Sequence, residues 1–536
     1  MSKLKLLLWS ISSGLILALS WPAIAEITSV VLIGFMPILI VEHEISKRTG
    51  KTGFTVFCYS YLSFFIFNLI TTYWIYHASL WGACMAVICN SLFMSITFWL
   101  FHITKKKVGK KEGYLSFVFY WIGFEYLHLN WELSWTWLTL GNVFAATPQN
   151  VQWYEYTGVL GGSLLVLVSN LVFFHFSLKN LETGKFNIKG ILFFIALPLV
   201  MKLFSVFGFN TEATGQEVEV VIVQPNIDPY KAKFTTSPSD QIDKMMGLAK
   251  EKLTPTTDYL IFPETAIPES HWEHEFEVLY ATDELKKLRE ISPKIKSIIG
   301  SSASVLYTPG MELKATANEF KDGSGFYDNY NAAFQLDEND GVQVHHKSKL
   351  VLGVEKLPFI RSIPLMKKLS INLGGTSGGL GYDDSPTVFK APNDSISIAP
   401  IICYESIYGE YVTEYSRKGA NLFAIITNDG WWDDTPGYKQ HLAYASLRAI
   451  ENRKWIVRSA NTGISAVIND HGEILEQTDW WVDAVINAKV QLNSKVTFYA
   501  QYGDFIGRIA GLLSGLMIAL TVVRSLNKTG RRLGRN

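Results

Sequence analysis

The stretch Ile401-Ile402-Cys403-Tyr404-Glu405-Ser406 predicts the fold of the region around it. An apolar run ends at a cysteine, and a helical pattern follows Ser406. Such a junction is typical of α/β folds, which place polar functional groups just past the ends of strands. Because the dipole of a following helix lowers the pKa of a thiol, the pattern favours a reactive Cys403.

The other three cysteines lie in apolar segments of the chain. Cys58, Cys84 and Cys89 fit the usual role of cysteine as a small apolar packing residue. Cys403 alone lies in the polar region, without an evident disulfide partner. It is therefore either buried and inert or kept for its reactivity.

From about residue 217 to 500, short apolar runs alternate with helical patterns. Strands that alternate with helices at this spacing predict an α/β sandwich. The predicted strands are 218–223, 259–262, 297–301, 331–335, 396–402, 422–427, 455–459 and 464–468. The predicted helices are 238–252, 284–291, 407–418 and 440–452.

A thiolate that attacks a carbonyl needs a base and a positive group that holds the oxyanion. Glu264 directly follows the predicted strand 259–262, and Lys347 lies in His345-His346-Lys347-Ser348. Taken singly, such a glutamate is usually a turn or cap residue, and such a lysine is usually solvated. The order Glu, Lys, Cys, each near a strand, instead favours a catalytic group.

Outside this region the chain is apolar, and 48% of its 536 residues are hydrophobic. No Lys or Arg occurs in 6–46, 53–104 or 113–178. A basic residue at the centre of a membrane helix costs about 2.5 to 3.5 kcal/mol, and a span needs about 20 residues. We therefore predict an α-helical membrane bundle of about eight spans, at 5–21, 27–43, 54–76, 79–102, 114–129, 158–178, 188–208 and 505–523.

The basic residues between these spans predict the orientation of the chain. The clusters at 3–5, 47–51, 105–111, 179–189 and 524–535 each follow an even number of crossings. By the positive-inside rule, both termini are then cytoplasmic and the polar region is extracytoplasmic. Ala23-Ile24-Ala25 leaves open the alternative that the first segment is a signal peptide.

This pattern predicts three parts of the chain. Residues 1–212 form a membrane domain, residues 217–500 an extracytoplasmic catalytic domain, and residues 504–536 a last membrane helix with a basic cytoplasmic tail. The 48 basic and 48 acidic residues cancel, so the composition does not indicate a polyanion-binding surface and argues against nucleic acid as a partner. No cluster of metal ligands is evident in the sequence, and we expect no metal and no cofactor.

The ordered motifs resemble the nitrilase, or carbon-nitrogen hydrolase, superfamily over about residues 217 to 500. With its membrane spans, the whole chain resembles the apolipoprotein N-acyltransferase family. The motifs are Val223-Gln224-Pro225-Asn226-Ile227, Pro263-Glu264-Thr265, Lys347 to Val351, Ile402-Cys403-Tyr404-Glu405, Asn428-Asp429-Gly430-Trp431-Trp432, Gln440-His441, Arg458-Ser459-Ala460-Asn461-Thr462-Gly463 and Tyr502-Gly503-Asp504. The resemblance implies a four-layer α-β-β-α sandwich with a Glu-Lys-Cys triad.

Carried over by position, the resemblance implies that Glu264 is the general base, Cys403 the nucleophile and Lys347 the cation that holds the oxyanion. Glu355 matches a second family glutamate that supports the site. The family has Pro-Phe-Gly where this chain has Leu352-Gly353-Val354, so the resemblance does not extend to the sequence of that loop.

Further residues have a supporting or a lipid-contacting role by the same resemblance. Tyr404 and Glu405 flank the nucleophile and are either supporting residues or packing and cap residues. Trp431 and Trp432 are candidates to line an acyl cleft, although core packing fits them equally. Phe234 stands where the family usually has tryptophan, and the resemblance implies a role for that position in a lid or in lipid contact.

The resemblance implies an acyltransferase that works in two stages through a thioester on Cys403. A membrane phospholipid donates the acyl chain, and the diacylglyceryl cysteine of an apolipoprotein accepts it on its α-amino group. We expect a monomer in a bacterial inner membrane, in contact with membrane lipid. One alternative is a membrane-tethered amidase of the nitrilase superfamily that transfers the acyl group to water. Another is a transporter or scaffold whose outer domain only binds.

Overall fold

The computed structural model describes residues 1–183, 188–208, 215–230, 235–356, 358, 379–392 and 394–533. The chain divides into two compact units. The first comprises Met1–Asn210 and Tyr502–Asn536, and the second comprises Thr211–Gln501.

The regular elements of the first unit are all helices in the residues that the structure describes. Its α-helices are α1 (Lys3–Leu19), α2 (Met36–Ser46), α3 (Gly53–Thr72), α4 (Ile75–Ala78), α5 (Leu80–Lys107), α6 (Lys110–Asn130), α7 (Tyr154–Thr183), α8 (Ile188–Gly208) and, at the C-terminal end, Phe505–Leu533. The helix α7 is interrupted at Gly158, whose φ of 59° is not helical.

In the described part of the chain, six helical segments are long and apolar enough to cross a membrane. They are Thr28–Ser46, Gly53–Thr72, Leu80–Lys107, Tyr154–Lys179, Ile188–Gly208 and Phe505–Asn527. The two other predicted spans also form helices, but α1 has only 17 residues and α6 begins with Lys110, Lys111 and Glu112. The predicted membrane bundle is therefore confirmed, whereas the number of about eight spans is not.

Small residues allow the helices of this unit to pack closely. A Cβ atom at Gly14 of α1 would lie 2.3 Å from the carbonyl oxygen of Ser63 on α3. Ser63 Oγ also donates a hydrogen bond to the carbonyl of Ser10 at 2.8 Å. Close contacts of this kind are typical of helices that associate in a bilayer, where burial of apolar surface gives little driving force.

One buried carboxylate of this unit has a local structural role. Glu125 of α6 is 3% exposed. Its Oε1 accepts hydrogen bonds from Trp121 Nε1 at 3.1 Å and from the backbone N–H of Leu140 at 2.8 Å. Leu140 begins the short 3₁₀-helix Leu140–Ala146, whose first N–H groups lack partners within the helix. Glu125 therefore caps this segment from a neighbouring helix.

The second unit contains two β-sheets. Its strands are β1 (Glu217–Gln224), β2 (Tyr259–Ile261), β3 (Ile267–Trp272), β4 (Lys296–Leu306), β5 (Asn318–Glu319), β6 (Phe326–Leu336), β7 (Val342–His346), β8 (Ile398–Ile402), β9 (Leu422–Thr427), β10 (Ile456–Ala460), β11 (Ala466–Ile468), β12 (Ile474–Gln477) and β13 (Ala484–Gln491). The larger sheet has the order β13-β1-β2-β4-β6-β5, with β3 paired to β4 and β7 paired to β6. The smaller sheet has the order β12-β11-β10-β9-β8.

Helices cover the outer face of each sheet. They are α9 (Pro238–Lys252), α10 (Tyr280–Lys287), α11 (Gly409–Arg417) and α12 (Pro436–Asn452). Val221 and Val223, at alternate positions of β1, pack in one buried cluster with Ile242 and Met245 of α9 and Leu285 of α10. Burial of each such side chain stabilises the fold by about 1.5 to 3 kcal/mol.

The inner faces of the two sheets pack against each other. Ser459 Oγ on β10 donates to the carbonyl of Val223 on β1 at 2.8 Å. Gln224, at the end of β1, accepts a hydrogen bond from the backbone N–H of Ser465 at 2.9 Å. With α9 and α10 outside one sheet and α11 and α12 outside the other, the order of layers is α-β-β-α. This confirms the predicted sandwich.

Candidate active site

The nucleophile candidate lies where β8 ends in the smaller sheet. All five residues of β8 are buried, and Cys403 follows as the first residue of a 3₁₀ turn, Cys403–Ile407. Its φ is 47°, in the left-handed region that a residue with a Cβ rarely adopts. The neighbouring strand β9 runs parallel in the register Ile402 to Ile426. The ends of β8 and β9 therefore lie side by side.

The base candidate comes from the other sheet. Glu264 follows β2 by three residues and is 7% exposed. Its Oε2 accepts a hydrogen bond at 3.1 Å from the backbone N–H of Asn428, the residue directly after β9. The carboxylate of Glu264 thus contacts the strand end that neighbours Cys403.

The backbone around Glu264 leaves no space for a side chain on the adjacent strand. A Cβ atom at Gly300 of β4 would lie 2.6 to 2.7 Å from backbone atoms of Pro263, Glu264 and Thr265. Thr265 has a φ of 48°. Glu264 and Cys403 therefore each lie in a turn that contains a residue with left-handed φ, Thr265 and Cys403 itself. This backbone conformation persists only where surrounding contacts enforce it.

The cation candidate joins two carboxylates. Lys347 follows β7 and is 1% exposed. Its Nζ donates hydrogen bonds to Glu264 Oε1 and to Glu355 Oε1, both at 2.9 Å. Burial alone would lower the pKa of Lys347, but Glu264 and Glu355 outweigh burial and raise it well above its ordinary value. The lysine is therefore charged.

The loop with the unusual sequence still brings Glu355 to the site. Gly353 has a φ of 84°, and the backbone N–H of Glu355 donates to the carbonyl of Val351 at 2.9 Å. Glu355 Oε2 in turn accepts from the backbone N–H of Val351 at 2.8 Å. Leu352-Gly353-Val354 thus forms a hydrogen-bonded turn that holds Glu355 against Lys347.

One residue of this cluster was not predicted from the sequence. Asn331 of β6 donates through Nδ2 to Glu264 Oε1 at 2.7 Å and to Glu355 Oε1 at 3.0 Å. Its carbonyl accepts from the backbone N–H of Lys347 at 2.8 Å. The signal available in the sequence is a polar residue at the start of the apolar run Asn331-Ala332-Ala333-Phe334.

The electrostatic setting of Cys403 corrects one expectation. Burial of Cys403 and, next, the carboxylate of Glu264 raise the pKa of the thiol well above its ordinary value, and Lys347 opposes them only in part. The expected lowering by a helix dipole is wrong because a single 3₁₀ turn follows the cysteine and α11 begins only at Gly409. At rest the thiol keeps its proton.

Glu405 connects the turn Cys403–Ile407, called the cysteine turn, to the segment Lys347-Ser348, called the lysine loop. It is fully buried, and it accepts hydrogen bonds from the backbone N–H groups of Ile402 at 2.8 Å and Ser348 at 2.6 Å. Tyr411 donates to it at 2.8 Å, and His345 Nε2 lies 3.2 Å away. Burial would raise the pKa of Glu405, but His345 and these backbone donors lower it.

The aromatic candidates occupy different positions. Tyr404 is buried, with its ring edge-on to Tyr408 at 5.4 Å. Trp431 packs against Tyr230 at 5.2 Å, and Trp432 lies 5.7 Å from the ring of His441. Both tryptophans are half-buried, and their contact with an acyl chain stays a prediction. Phe234 lies outside the described residues.

The described residues include one group of side chains close enough to hold a metal ion: Cys403, Asp429 and His441. Their possible ligand atoms lie within 4.8 Å of one another. Asp429 is already ion-paired with Arg458 at 2.5 Å and with His441 at 2.9 Å. A guanidinium on the same carboxylate repels a cation. These contacts therefore assign the group to a hydrogen-bond network.

Comparison with known proteins matches both units of the chain. A family model described as carbon-nitrogen hydrolase matches residues 219–498, and one described as the apolipoprotein N-acyltransferase N-terminal domain matches residues 13–172. A Chlorobaculum tepidum protein named apolipoprotein N-acyltransferase is 29% identical over 96% of this chain and 96% of its own. A Geobacter metallireducens protein of the same name is 27% identical over 93% of this chain and 91% of its own.

Among solved structures, a Saccharomyces cerevisiae member of branch 10 of the nitrilase superfamily is 16% identical, with a TM-score of 0.35 over 52% of this chain and 90% of that chain. The second unit has the sandwich fold with buried Glu264, Lys347 and Cys403, and the first unit has helices able to span a membrane. These features and the family match define a membrane-bound protein of the carbon-nitrogen hydrolase class. Within this class the chain belongs to the apolipoprotein N-acyltransferase family.

Proposed function

We propose that this chain N-acylates lipoproteins by moving a fatty acyl chain from a phospholipid, through a thioester on Cys403, to the α-amino group of a diacylglyceryl cysteine. The observation that carries the proposal is the buried cluster of Glu264, Lys347 and Glu355 beside the Cys403 turn, in a chain of this family. The cluster supplies a nucleophile, a base and a cation, which are the groups that acyl transfer through a thioester requires.

In the first stage Glu264 takes the proton of the Cys403 thiol, and the sulfur attacks the ester carbonyl of the phospholipid. The ammonium of Lys347 has three N–H donors, and its contacts with Glu264 and Glu355 use two of them, so one is available for the oxyanion. The lysophospholipid leaves with the proton held by Glu264, and the acyl group stays on Cys403 as a thioester.

In the second stage the free α-amine of the lipoprotein attacks the thioester carbonyl. Glu264 accepts the proton that the amine loses, and Lys347 again holds the oxyanion. The carbon-sulfur bond breaks, the amide forms, and the sulfur recovers a proton from Glu264. Two transfers through one covalent intermediate predict ping-pong kinetics.

The experiment follows the acyl group on the sulfur. Purified protein incubated with phospholipid should gain the mass of one acyl chain on the peptide that contains Cys403. A diacylglyceryl peptide with a free amine should then remove that mass and become N-acylated. Cys403→Ala should gain nothing, whereas the matched variant Cys58→Ala/Cys84→Ala/Cys89→Ala should react normally.

Discharge of the thioester to water alone, with no acylated peptide, would instead favour the membrane-tethered amidase, which shares the same triad chemistry. An unmodified Cys403 together with normal N-acylation would rule out the thioester. Both outcomes are visible in the same mass spectra.

The proposal also includes the sidedness of the chain. The basic clusters that follow even numbers of crossings support cytoplasmic termini and an active site on the outer face of a bacterial inner membrane. At that face the second unit, Thr211–Gln501, here called the catalytic unit, meets its lipid substrates without removing them from the bilayer. Transfer of each CH₂ group from the bilayer into water would cost about 0.8 kcal/mol. A monomer with no metal and no cofactor suffices for this chemistry.

A labelling experiment tests the orientation. In a variant without native cysteines, Asp322→Cys places a thiol on an exposed turn of the catalytic unit, and Lys51→Cys places one on an exposed loop between α2 and α3. A membrane-impermeant maleimide should label the first in intact spheroplasts and the second only after permeabilisation. The opposite pattern would place the catalytic unit in the cytoplasm.

A further inference from the structure

A second buried network of polar side chains contacts the turn that begins at Cys403, and the proposed reaction does not use it. It consists of Asp429, His441 and Arg458, each at most 1% exposed. Arg458 Nη2 donates to Asp429 Oδ2 at 2.5 Å, and His441 Nδ1 donates to Asp429 Oδ1 at 2.9 Å. Burial alone would raise the pKa of Asp429, but Arg458 and His441 lower it well below its ordinary range. The carboxylate is therefore a fixed negative anchor for the imidazole.

The other side of the imidazole reaches the cysteine turn. His441 Nε2 lies 3.0 Å from Ser406 Oγ and 3.3 Å from the carbonyl oxygen of Cys403. Ser406 Oγ donates to the same carbonyl at 2.8 Å. Trp432 packs edge-on against the imidazole ring, with the two ring centroids 5.7 Å apart and the ring planes at 74°. His441 thus joins a buried ion pair to the backbone that carries the nucleophile.

That backbone needs such support. The φ of 47° at Cys403 is unfavourable for any residue with a Cβ, and such conformations persist only where neighbouring contacts over-determine them. Glu405 holds the N-terminal side of the turn through the N–H of Ile402. Ser406 Oγ holds its C-terminal side by donating to the carbonyl of Cys403. With a hydrogen on both ring nitrogens, His441 Nε2 donates to the same oxygen while Nδ1 donates to Asp429.

We propose that His441 is a positioning residue for acyl transfer: anchored by Asp429 and Arg458, it fixes the carbonyl of Cys403 and thereby the place from which the sulfur attacks. This role builds on the proposed acyltransferase function. It also explains why the separate motifs Asn428-Asp429, Gln440-His441 and Arg458-Ser459 converge in space at the cysteine.

Substitution of His441 by asparagine or by glutamine tests the contacts on the two sides of the imidazole ring separately. Asparagine places its amide near the position of Nδ1 and glutamine places its amide near that of Nε2, and neither amide can take up a proton at neutral pH. His441→Asn keeps the contact with Asp429 and loses the contact with the cysteine turn. His441→Gln keeps the contact with the cysteine turn.

With the full-length protein, His441→Asn should lower kcat for N-acylation roughly 10-fold to 100-fold at an unchanged KM for phospholipid. The rate constant for alkylation of Cys403 by iodoacetamide, measured without lipid, should fall by a similar factor. His441→Gln should retain both rates within about threefold. The matched control His274→Asn changes an exposed histidine of the same unit and should match the unsubstituted protein.

Normal alkylation and normal kcat in His441→Asn would overturn the proposal. Equal loss of kcat in the asparagine and glutamine variants, with normal alkylation, would instead make His441 a proton acceptor. If His441→Asn does not fold, as judged by thermal unfolding, Ser406→Ala removes the serine link alone and should slow alkylation roughly threefold to tenfold. Alkylation that follows this pattern in a protein without acyltransferase activity would uphold the positioning role and reject the proposed function.

Discussion

Replacement of Asn331 by aspartate tests whether the two carboxylates of the site depend on a shared amide donor. The new carboxyl group would lie about 2.7 Å from Glu264 Oε1 and about 3.0 Å from Glu355 Oε1, where the amide now donates. With an effective dielectric constant of about 20, each such pair of like charges at these distances costs about 6 kcal/mol. The substituted side chain should therefore hold a proton at neutral pH and donate only one of the two hydrogen bonds.

Loss of one hydrogen bond to a charged group costs about 1.5 to 3 kcal/mol, which corresponds to roughly a 10-fold to 100-fold lower rate. Asn331→Asp should therefore lower kcat by that factor at pH 7, and further as the pH rises and the new carboxyl ionises. Asn331→Ala loses both donors, so its kcat should be lower still and should not fall further at high pH for this reason.

The assay is the initial rate of N-acylation of a diacylglyceryl peptide in detergent between pH 6 and pH 9, with thermal unfolding measured at each pH. Asn329→Asp is the matched control because Asn329 lies two residues earlier on β6, where its Oδ1 accepts from Ser304 Oγ at 2.8 Å and a carboxylate can accept equally well. If Asn331→Asp retained the kcat and the pH profile of the unsubstituted protein, the shared amide would not hold the catalytic carboxylates.

Three further predictions concern the catalytic unit. Gly300→Ala should lower both the unfolding temperature and kcat, because its Cβ meets the backbone beside Glu264 at a cost of about 1 to 3 kcal/mol; unchanged values would contradict the close contact. Burial would lower the pKa of His346, but Asp383 and Glu273 raise it to about 9, so its stabilising contribution is complete below pH 6.5 and is lost as the pH rises through 9. His346→Gln should remove that part of the pH dependence of thermal unfolding. Burial would raise the pKa of Glu219, but hydrogen bonds from Thr254 and Asn487 lower it to about 2, so its contribution is lost as the pH falls from 4.5 through 2, and Glu219→Gln should flatten acid unfolding in that range.

The central strands of both sheets were predictable because they are continuously buried apolar runs. The predicted strand 422–427 coincides with β9, and the predicted helix 238–252 coincides with α9, which begins at the N-cap Ser237 and Pro238. The strands β3, β5, β7, β12 and β13 were not predicted. They lie at the ends of the sheets or beside the main strand order, where polar and half-exposed residues interrupt the apolar pattern. The pairing of β13 with β1 joins residues more than 250 positions apart, which no local pattern encodes.

The site was predictable where a polar residue follows an apolar strand, as at Glu264 and Cys403. The contribution of Asn331 was not, because it comes from within a strand and becomes meaningful only when β6 and the lysine loop lie together. The sign of the pKa shift of Cys403 also depends on depth of burial and on a carboxylate distant in sequence. Whether Glu264, Lys347 and Cys403 act as a triad stays a prediction that the experiments above test.

The raised pKa of Cys403 decides how the proposed chemistry must begin. Because the thiol is protonated at rest, the sulfur becomes a nucleophile only as Glu264 takes its proton. The negative charge then passes from one neighbour of Lys347 to another, since both Glu264 and the sulfur interact with that ammonium. The total charge of the buried cluster is unchanged by this step, so no charge has to be created in a low-dielectric site. Glu355, which stays ion-paired with Lys347 throughout, holds the ammonium in place while its other carboxylate partner is neutral.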